Sequence, residues 1–233
     1  MGVKTEMIDI TSKNGTFKGY FAAPEGGGPM PGVVVIQEIF GVNSHVRDVT
    51  SRMAEAGYAA LAPDLFWPVE HGFETGYTPS DLDKARAARA EVDTDKAVED
   101  VGATIAALKG RAECNGKIGV VGFCWGGLIT YLTHVRHNPD CSSAYYGGGI
   151  VSYLGEVDNI KTPIIFNFGT ADASIPMDQV EQIKAAVQGK SATVYTYDGA
   201  QHGFNCDQRP SYHAEHAAVA WQRTLDFFGQ HLR

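Results

Sequence analysis

The chain is short of positive charge and of long hydrophobic runs. Its 233 residues include 19 lysines and arginines against 27 aspartates and glutamates, which gives a formal net charge of -8. Because the acidic residues are spread along the sequence, nucleic acid and anionic membrane surfaces are unfavourable partners. The first ten residues carry charges at Lys4, Glu6 and Asp9, and we predict neither a signal peptide nor a transmembrane helix there. A cytoplasmic protein that acts on a small organic molecule fits these shortages.

Cysteine is also scarce. The chain contains four cysteines, Cys114, Cys124, Cys141 and Cys206. None of them has the C-x-x-C spacing of a zinc or redox motif, so neither a disulfide framework nor a structural metal site is expected. We predict no cofactor and no metal, and the cysteine pattern fits a reducing compartment.

The length suits a single α/β domain over residues 1–233 that buries a full core. Strands are predicted at 6–10, 17–22, 31–36, 58–62, 117–121, 143–146, 163–168 and 193–197, and helices at 44–56, 81–108 with a break near 92–94, 128–136, 177–188 and 212–228. Strands that alternate with helices after an opening hairpin predict a mostly parallel, doubly wound sheet with helices on both faces. Ligands of such sheets bind beyond the carboxyl ends of the strands.

The stretch Ile118–Leu128 carries the strongest functional signal. An apolar run ends at Gly122, Cys124 follows, and a helix-like stretch begins at once, which is the pattern of a nucleophile elbow with sulfur in place of a hydroxyl. The turn is expected to leave no room for side chains at Gly122 and Gly126, and to hold the cysteine in a strained conformation. Backbone N–H groups at the helix start favour thiolate over thiol, and the N–H of Trp125 is placed to hold a developing oxyanion.

Two further residues complete a candidate triad with this cysteine. Asp172 and His202 each follow a predicted strand, and the order Cys124, Asp172, His202 is that of α/β-hydrolases. His202 is predicted to accept the thiol proton and Asp172 to orient the imidazole. Each residue alone has a plainer explanation: a small buried thiol, a turn carboxylate, and a loop histidine satisfied by backbone. Their joint order and position favour the triad.

The other histidines are expected to play lesser roles. His134 and His137 lie near the C-terminal end of the elbow helix, a position that favours positive charge. His213 and His216 are three residues apart on the last predicted helix and are expected to be solvated. We do not expect them to bind a metal, because the sequence offers no partner with matching spacing except Glu215, which is predicted to face solvent.

The chain resembles one family nearly end to end, and four segments carry the resemblance. They are Gly122–Gly127, Gln37–Asn43, the loop at Asp172, and His202–Phe204. With these motifs the chain resembles the dienelactone hydrolase (carboxymethylenebutenolidase) family of cysteine α/β-hydrolases. The resemblance implies an α/β-hydrolase fold and the hydrolysis of small esters or lactones through a thioester.

The resemblance also implies roles for individual residues. It implies that the triad is the one given above, that the N–H groups of Ile39 and Trp125 form an oxyanion hole, and that Glu38 lies beside the resting thiol. A carboxylate repels a neighbouring thiolate, so the resting pair favours a shared proton. The plainer alternative for Glu38 is a buried, ion-paired residue at a strand end.

The resemblance is weakest where substrate is recognised. Family members that act on dienelactone hold its carboxylate with arginines, and the corresponding positions here are Leu82 and Cys206. Arg86 or Arg209 could supply a cation from a different place, although surface charge explains each more simply. Aromatic side chains are expected to line an apolar pocket. The residues predicted to contact substrate are Phe40, Arg86, Phe204 and Arg209.

Two alternatives remain at the level of sequence. Cys206 lies four residues after His202, so a thiol redox sensor with Cys206 as the resolving partner of Cys124 is one of them. A non-catalytic protein that retains the fold is the other, and the filled triad positions argue against it. The chain is expected to be a monomer or a weak homodimer.

Overall fold

The structure, a computed structural model, describes residues 2–233. It divides into two compact units, of which the first ends at Val120 and the second is Val121–Arg233. The division falls inside one strand, Cys114–Phe123. The single domain over residues 1–233 stays a prediction.

The first unit is built on an antiparallel hairpin and a parallel strand pair. Its elements are β1 Val3–Ser12, β2 Gly15–Pro24, β3 Met30–Ile36, α1 Ser44–Glu55, β4 Ala59–Pro63, α2 Pro79–Glu91, α3 Thr94–Lys109 and most of β5 Cys114–Phe123. The strands β1, β2, β4 and β3 are neighbours in that order, with β1–β2 and β2–β4 antiparallel and β3–β4 parallel. The predicted hairpin is confirmed, and pairing of Ser12 with Gly15 leaves a two-residue turn.

The long helical stretch breaks where the sequence predicts it. Helix α2 begins earlier than predicted because Thr78 and Asp81 form a capping box with Pro79 in the first turn. Helix α3 begins anew because the Asp93 carboxylate accepts hydrogen bonds from the N–H groups of Asp95 (2.9 Å) and Lys96 (3.0 Å). The break near 92–94 is therefore an N-cap.

The buried carboxylate of Asp100 holds the first unit together. It accepts hydrogen bonds from Ser12 Oγ (2.6 Å), Asn14 Nδ2 (2.8 Å) and Trp67 Nε1 (2.9 Å). These three donors satisfy a charge that would otherwise be costly to bury. They also fix the hairpin turn and the irregular segment at Trp67 onto helix α3.

The second unit alternates strands and helices. After the end of β5 it contains α4 Trp125–His137, β6 Cys141–Tyr145, a 3-10 segment Ile150–Asn159, β7 Ile164–Gly169, α5 Met177–Ala186, β8 Ala192–Tyr197 and α6 Ala214–Leu232. The pairs β6–β7 and β7–β8 are parallel. Helix α4 begins at Trp125, not at the predicted Leu128, because Cys124 already occupies its N-cap position. Among the described helices, none is both long and apolar enough to cross a membrane.

A chain of buried polar side chains connects three strands and the last helix of the second unit. Tyr197 donates its hydroxyl to Asn167 Oδ1 (2.8 Å), and Asn167 Nδ2 donates to Ser143 Oγ (3.3 Å). Thr224 Oγ1 lies 3.0 Å from Ser143 Oγ and 2.7 Å from the Tyr145 hydroxyl. A satisfied network of this kind rigidifies the strands whose ends carry the candidate site.

Candidate active site

Cys124 occupies a strained backbone position between β5 and α4. Its dihedral angles are φ 58° and ψ -121°, a region that residues with a side chain rarely adopt. The turn is held by a hydrogen bond from Cys124 N–H to the carbonyl of Tyr145 (3.1 Å) and by another from the Gly127 N–H to the Cys124 carbonyl (2.9 Å). The strained conformation expected of a nucleophile elbow is therefore present.

The elbow has no space for side chains at two glycines. A Cβ on Gly122 would lie 2.2 Å from the carbonyl oxygen of Gly126 and 2.4 Å from Thr130 Oγ1. A Cβ on Gly127 would lie 2.3 Å from the carbonyl oxygen of Tyr145. Strand and helix approach too closely for a methyl group, so glycine is required at both positions.

The structure brings the three candidate triad residues together within the second unit. His202 Nδ1 lies 2.7 Å from Asp172 Oδ2, and His202 Nε2 lies 3.1 Å from Cys124 Sγ. The imidazole therefore bridges the sulfur and the carboxylate. The side chain of Asp172 is 1% exposed and that of His202 is 18% exposed, so the histidine is the more accessible of the two.

The carboxylate of Asp172 is held by its own turn as well. Its Oδ1 accepts hydrogen bonds from the N–H groups of Ser174 (2.8 Å) and Ile175 (3.1 Å), which leaves Oδ2 for His202. The plainer explanation of Asp172 as a turn carboxylate is thus correct for one oxygen, while the second oxygen meets the imidazole. One side chain does both.

The electrostatics of the site favour a charged imidazole. Burial, the largest influence, lowers the pKa of His202, but the negative sulfur of Cys124 and the carboxylate of Asp172 together outweigh it and raise that pKa to about 10. At neutral pH the ring is then an imidazolium. A thiolate held beside an imidazolium is the reactive form of a cysteine nucleophile.

Two residues that follow His202 have different neighbours: Gly203 lies against a charged side chain, and Phe204 lies among aromatic rings. The guanidinium of Arg209 lies against Gly203, where a Cβ would be 2.4 Å from Arg209 Nη1. Phe204 is fully buried, and its ring packs on those of Tyr146 (5.4 Å between centroids) and Tyr197 (5.0 Å). Substrate contact was predicted for Phe204, but its burial makes it a packing residue that supports Tyr146.

The other predicted site residues belong to the first unit. Glu38 is 1% exposed just beyond β3, Ile39 is half-buried, and Phe40 is 3% exposed. The side chain of Arg86 is 67% exposed and lies 3.9 Å from Asp83, as expected of a surface charge. The roles of these residues in the site stay predictions.

The expectation of positive charge at His134 is wrong. The ring is fully buried, with Nδ1 2.9 Å from Ser142 Oγ and Nε2 3.0 Å from the carbonyl oxygen of Thr162. Burial lowers the pKa of His134 to about 4, so the imidazole is neutral at physiological pH. The cost of desolvating a charge exceeds the attraction of the helix end.

His213 and His216 lie at the start of α6. Their rings stack with 4.0 Å between centroids, and His213 accepts a hydrogen bond from the His216 N–H (3.4 Å). His216 Nε2 lies 2.9 Å from the carbonyl oxygen of Asp198. The pair therefore caps the helix and anchors the preceding loop.

The sequence predicts no role for Tyr146, which lies beside the candidate triad. Its ring centroid is 5.2 Å from that of His202, at an interplanar angle of 61°. The available signal was an aromatic residue at the end of a predicted strand, directly before Gly147, Gly148 and Gly149. Such a run allows a sharp change of direction.

The chain matches one family model and is similar to several known proteins. Residues 17–232 match the model of the dienelactone hydrolase family. A protein of Synechocystis sp. named "Putative carboxymethylenebutenolidase" is 38% identical, with 99% of this chain and 98% of that protein covered. One of the same name from Methylorubrum extorquens is 36% identical, with 96% and 80% covered. The solved structure described as "Putative Dienelactone Hydrolase" from Klebsiella pneumoniae has a TM-score of 0.88 and 32% identity, with 99% and 100% covered. The predicted α/β-hydrolase fold is confirmed by this match.

Proposed function

The chain belongs to the dienelactone hydrolase family and is a hydrolase of the carboxylic ester type, and from this premise we propose that it cleaves small esters or lactones through a thioester on Cys124. One observation carries the proposal: the His202 ring lies within hydrogen-bonding distance of both Cys124 Sγ and Asp172 Oδ2. That arrangement supplies a nucleophile, a proton carrier and an orienting carboxylate in one line.

The proposed reaction has two halves. The thiolate of Cys124 attacks the ester carbonyl carbon, and the oxyanion that develops is proposed to meet the N–H of Trp125 at the start of α4. Collapse of this intermediate breaks the ester C–O bond, and His202 Nε2 gives its proton to the departing alkoxide. Water then attacks the thioester after losing a proton to His202, and the acid is released as the thiolate returns. Asp172 stabilises the imidazolium whenever it is present.

The proposed substrates are small esters and lactones, and the names of the relatives point to lactones. Arg209 is proposed to contact the substrate, because its guanidinium lies against Gly203, the residue next to His202. Carboxylate recognition itself is expected to be weak, since the positions that carry arginine in dienelactone-cleaving members are Leu82 and Cys206 here. A panel of activated esters and lactones with and without a free carboxylate measures this directly.

Turnover of p-nitrophenyl acetate tests the proposal. Cys124→Ala should abolish turnover, and His202→Ala should reduce it strongly. Cys141→Ala is the matched control, because Cys141 is a fully buried thiol whose pKa is raised by burial, so its loss should leave turnover intact. Rapid quenching followed by mass spectrometry should find the acetyl group on the peptide that contains Cys124. Undiminished turnover by Cys124→Ala would contradict the proposal.

The thiol redox sensor is not favoured. Membership of a hydrolase family argues for acyl transfer, and Cys206 is a reduced thiol with no exposed surface. Treatment with peroxide should therefore leave Cys124 and Cys206 unlinked, as measured by mass spectrometry of the digested protein.

A further inference from the structure

Tyr146 has a strained backbone that the proposed reaction does not explain. Three described residues other than glycine have a positive φ: Cys124 at 58°, Asn138 at 48° and Tyr146 at 35°. Cys124 is the elbow cysteine, and Asn138 is a left-handed C-cap that ends α4. Tyr146 is large and aromatic, and strain at such a residue persists only where its surroundings enforce it.

The backbone around Tyr146 is held on two sides. Its N–H donates a hydrogen bond to the carbonyl of Asn167 on β7 (2.8 Å). The carbonyl of Tyr145 accepts the Cys124 N–H, and a Cβ on Gly127 would lie 2.9 Å from the Cα of Gly147. The chain therefore leaves β6 through a gap between the elbow and β7. This clamp fixes the direction in which the Tyr146 side chain leaves the backbone.

The side chain leaves toward the imidazole. The Tyr146 ring has no exposed surface, and it contacts His202 in an edge-on arrangement at 5.2 Å between centroids. On its other sides it packs against Phe204 (5.4 Å, 70°) and Phe123 (6.3 Å, 48°). The ring is therefore locked by other aromatic side chains and cannot turn away from His202.

His202 needs such a support because its two hydrogen bonds fix the ends of the ring but leave its flank open to movement. Nδ1 must meet Asp172 while Nε2 meets Cys124, and a small rotation of the imidazole lengthens both contacts at once. A rigid aromatic surface beside the ring limits that rotation and keeps water off that side. Residues whose own conformation is locked are the ones that hold a catalytic group in place.

We propose that Tyr146 is a positioning residue of the active site, in which the strained turn after β6 lays the phenol ring against His202 and keeps the imidazole aimed at both Cys124 and Asp172. The inference rests on the proposed function, because Tyr146 would act only through His202 and would not contact substrate. The aromatic ring performs this role, so phenylalanine should replace tyrosine.

Three substitutions and one matched control test the proposal. Tyr146→Phe keeps the ring, Tyr146→Leu removes the ring but keeps an apolar side chain, and Tyr146→Asn removes it while easing the left-handed backbone. The control is Tyr131→Leu, which also removes a fully buried ring of the second unit, one that packs on Phe166 instead of on His202. Folding of each variant is checked by thermal melting.

The expected results separate positioning from packing. For Tyr146→Leu and Tyr146→Asn, kcat for p-nitrophenyl acetate should fall about 10- to 100-fold with KM nearly unchanged, because a misplaced group slows the chemical step. Tyr146→Phe and Tyr131→Leu should keep kcat within about threefold of the parent. The downfield proton NMR signal of His202 Nδ1–H should persist in the parent, Tyr146→Phe and Tyr131→Leu, and broaden in the other two through exchange with water.

The proposal is overturned if Tyr146→Leu or Tyr146→Asn keeps both the parent kcat and the sharp Nδ1–H signal, or if Tyr131→Leu loses as much of either as they do. Failure of the proposed function looks different. In that case Cys124→Ala would retain turnover, while the NMR signal would still report whether Tyr146 orders the imidazole. If Tyr146→Leu does not fold, Tyr146→Asn supplies the same comparison.

Discussion

A histidine lies at each end of helix α4, and the two rings have different electrostatic environments. At its start, the Cys124 sulfur meets His202, whose other nitrogen meets the carboxylate of Asp172. Near its end, His134 meets a hydroxyl and a backbone carbonyl. Both rings have protein partners at both nitrogens. The pKa of His202 rises to about 10, whereas that of His134 falls to about 4.

The difference shows that the charge of the hydrogen-bonding partners decides whether an imidazole shielded from solvent is protonated. The helix dipole favours a cation near His134 and an anion near Cys124. At His134 the cost of burial exceeds the effect of the dipole, because neutral partners cannot offset the desolvation of an imidazolium. At Cys124, the helix dipole and the neighbouring imidazolium of His202 both favour negative charge on the sulfur. A histidine of ordinary appearance in the sequence is therefore a structural residue in one place and the proposed proton carrier in the other.

Replacing each histidine by glutamine is the strongest test of the difference between His202 and His134. His202→Gln should lower kcat/KM for p-nitrophenyl acetate by about 10³-fold or more, because no imidazolium remains to hold the Cys124 sulfur as the attacking thiolate. His134→Gln should stay within about threefold of the parent, since its ring carries no proton in the reaction. Equal losses of activity in the two variants would mean that the ends of α4 do not differ as described.

Titration of the two imidazole rings tests the difference between their pKa values directly. The imidazole of His202 should remain protonated at pH 8, and that of His134 should remain neutral at pH 5.5, because their pKa values lie at about 10 and about 4. Nitrogen-15 NMR of histidine-labelled protein measures both, and the two single glutamine variants assign the signals. Titration of either ring near pH 6.5, the value of an unperturbed histidine, would contradict this expectation.

The pH dependence of stability should report His134. Its pKa is lower in the folded protein than in the unfolded chain, so between about pH 6.5 and pH 4 the unfolded state binds more protons and stability falls as the pH falls. Its contribution is complete above pH 6.5, and the full loss on acidification below pH 4 is on the order of 3 kcal/mol. Urea unfolding at pH 7.5, 5.5 and 4.5 should show a shallower acid loss in His134→Gln than in the parent.

Glycine at the two strained backbone positions that flank α4 gives the smallest effects. Cys124→Gly should be more stable than Cys124→Ala by about 1 to 2 kcal/mol, because only glycine occupies that region without strain. Asn138→Gly should differ from the parent by only a few tenths of a kcal/mol, since asparagine already tolerates the left-handed conformation. Urea midpoints measure both, and an alanine variant at position 124 as stable as the glycine variant would argue against strain.

Much of the fold follows from local signals in the sequence. The valine-rich run before Gln37 and the hairpin around Asn14 were predicted from hydrophobic pattern and turn chemistry, and the helix break near 92–94 from helical spacing. All of these signals act over a few residues. The 3-10 segment Ile150–Asn159 was missed because a short run of that kind leaves no clear periodicity.

In the candidate site too, some features follow from the sequence and others depend on contacts between distant residues. The bridging of Cys124 and Asp172 by His202 agrees with the predicted order of residues along the chain, because parallel strands bring their carboxyl ends to one edge. The neutral state of His134 and the contact of Tyr146 with the imidazole depend on which side chains meet across the fold. Sequence spacing contains no such information.

The turn that holds the Asp172 carboxylate makes activity a sensitive reporter of local opening. The Ser174 and Ile175 N–H groups orient that carboxylate, so loosening this short loop releases the histidine before any strand separates. In rising denaturant, ester cleavage should therefore fade at concentrations where the far-ultraviolet circular dichroism is still that of the native protein. A routine assay of this protein thus measures the integrity of one four-residue loop more directly than that of the whole chain.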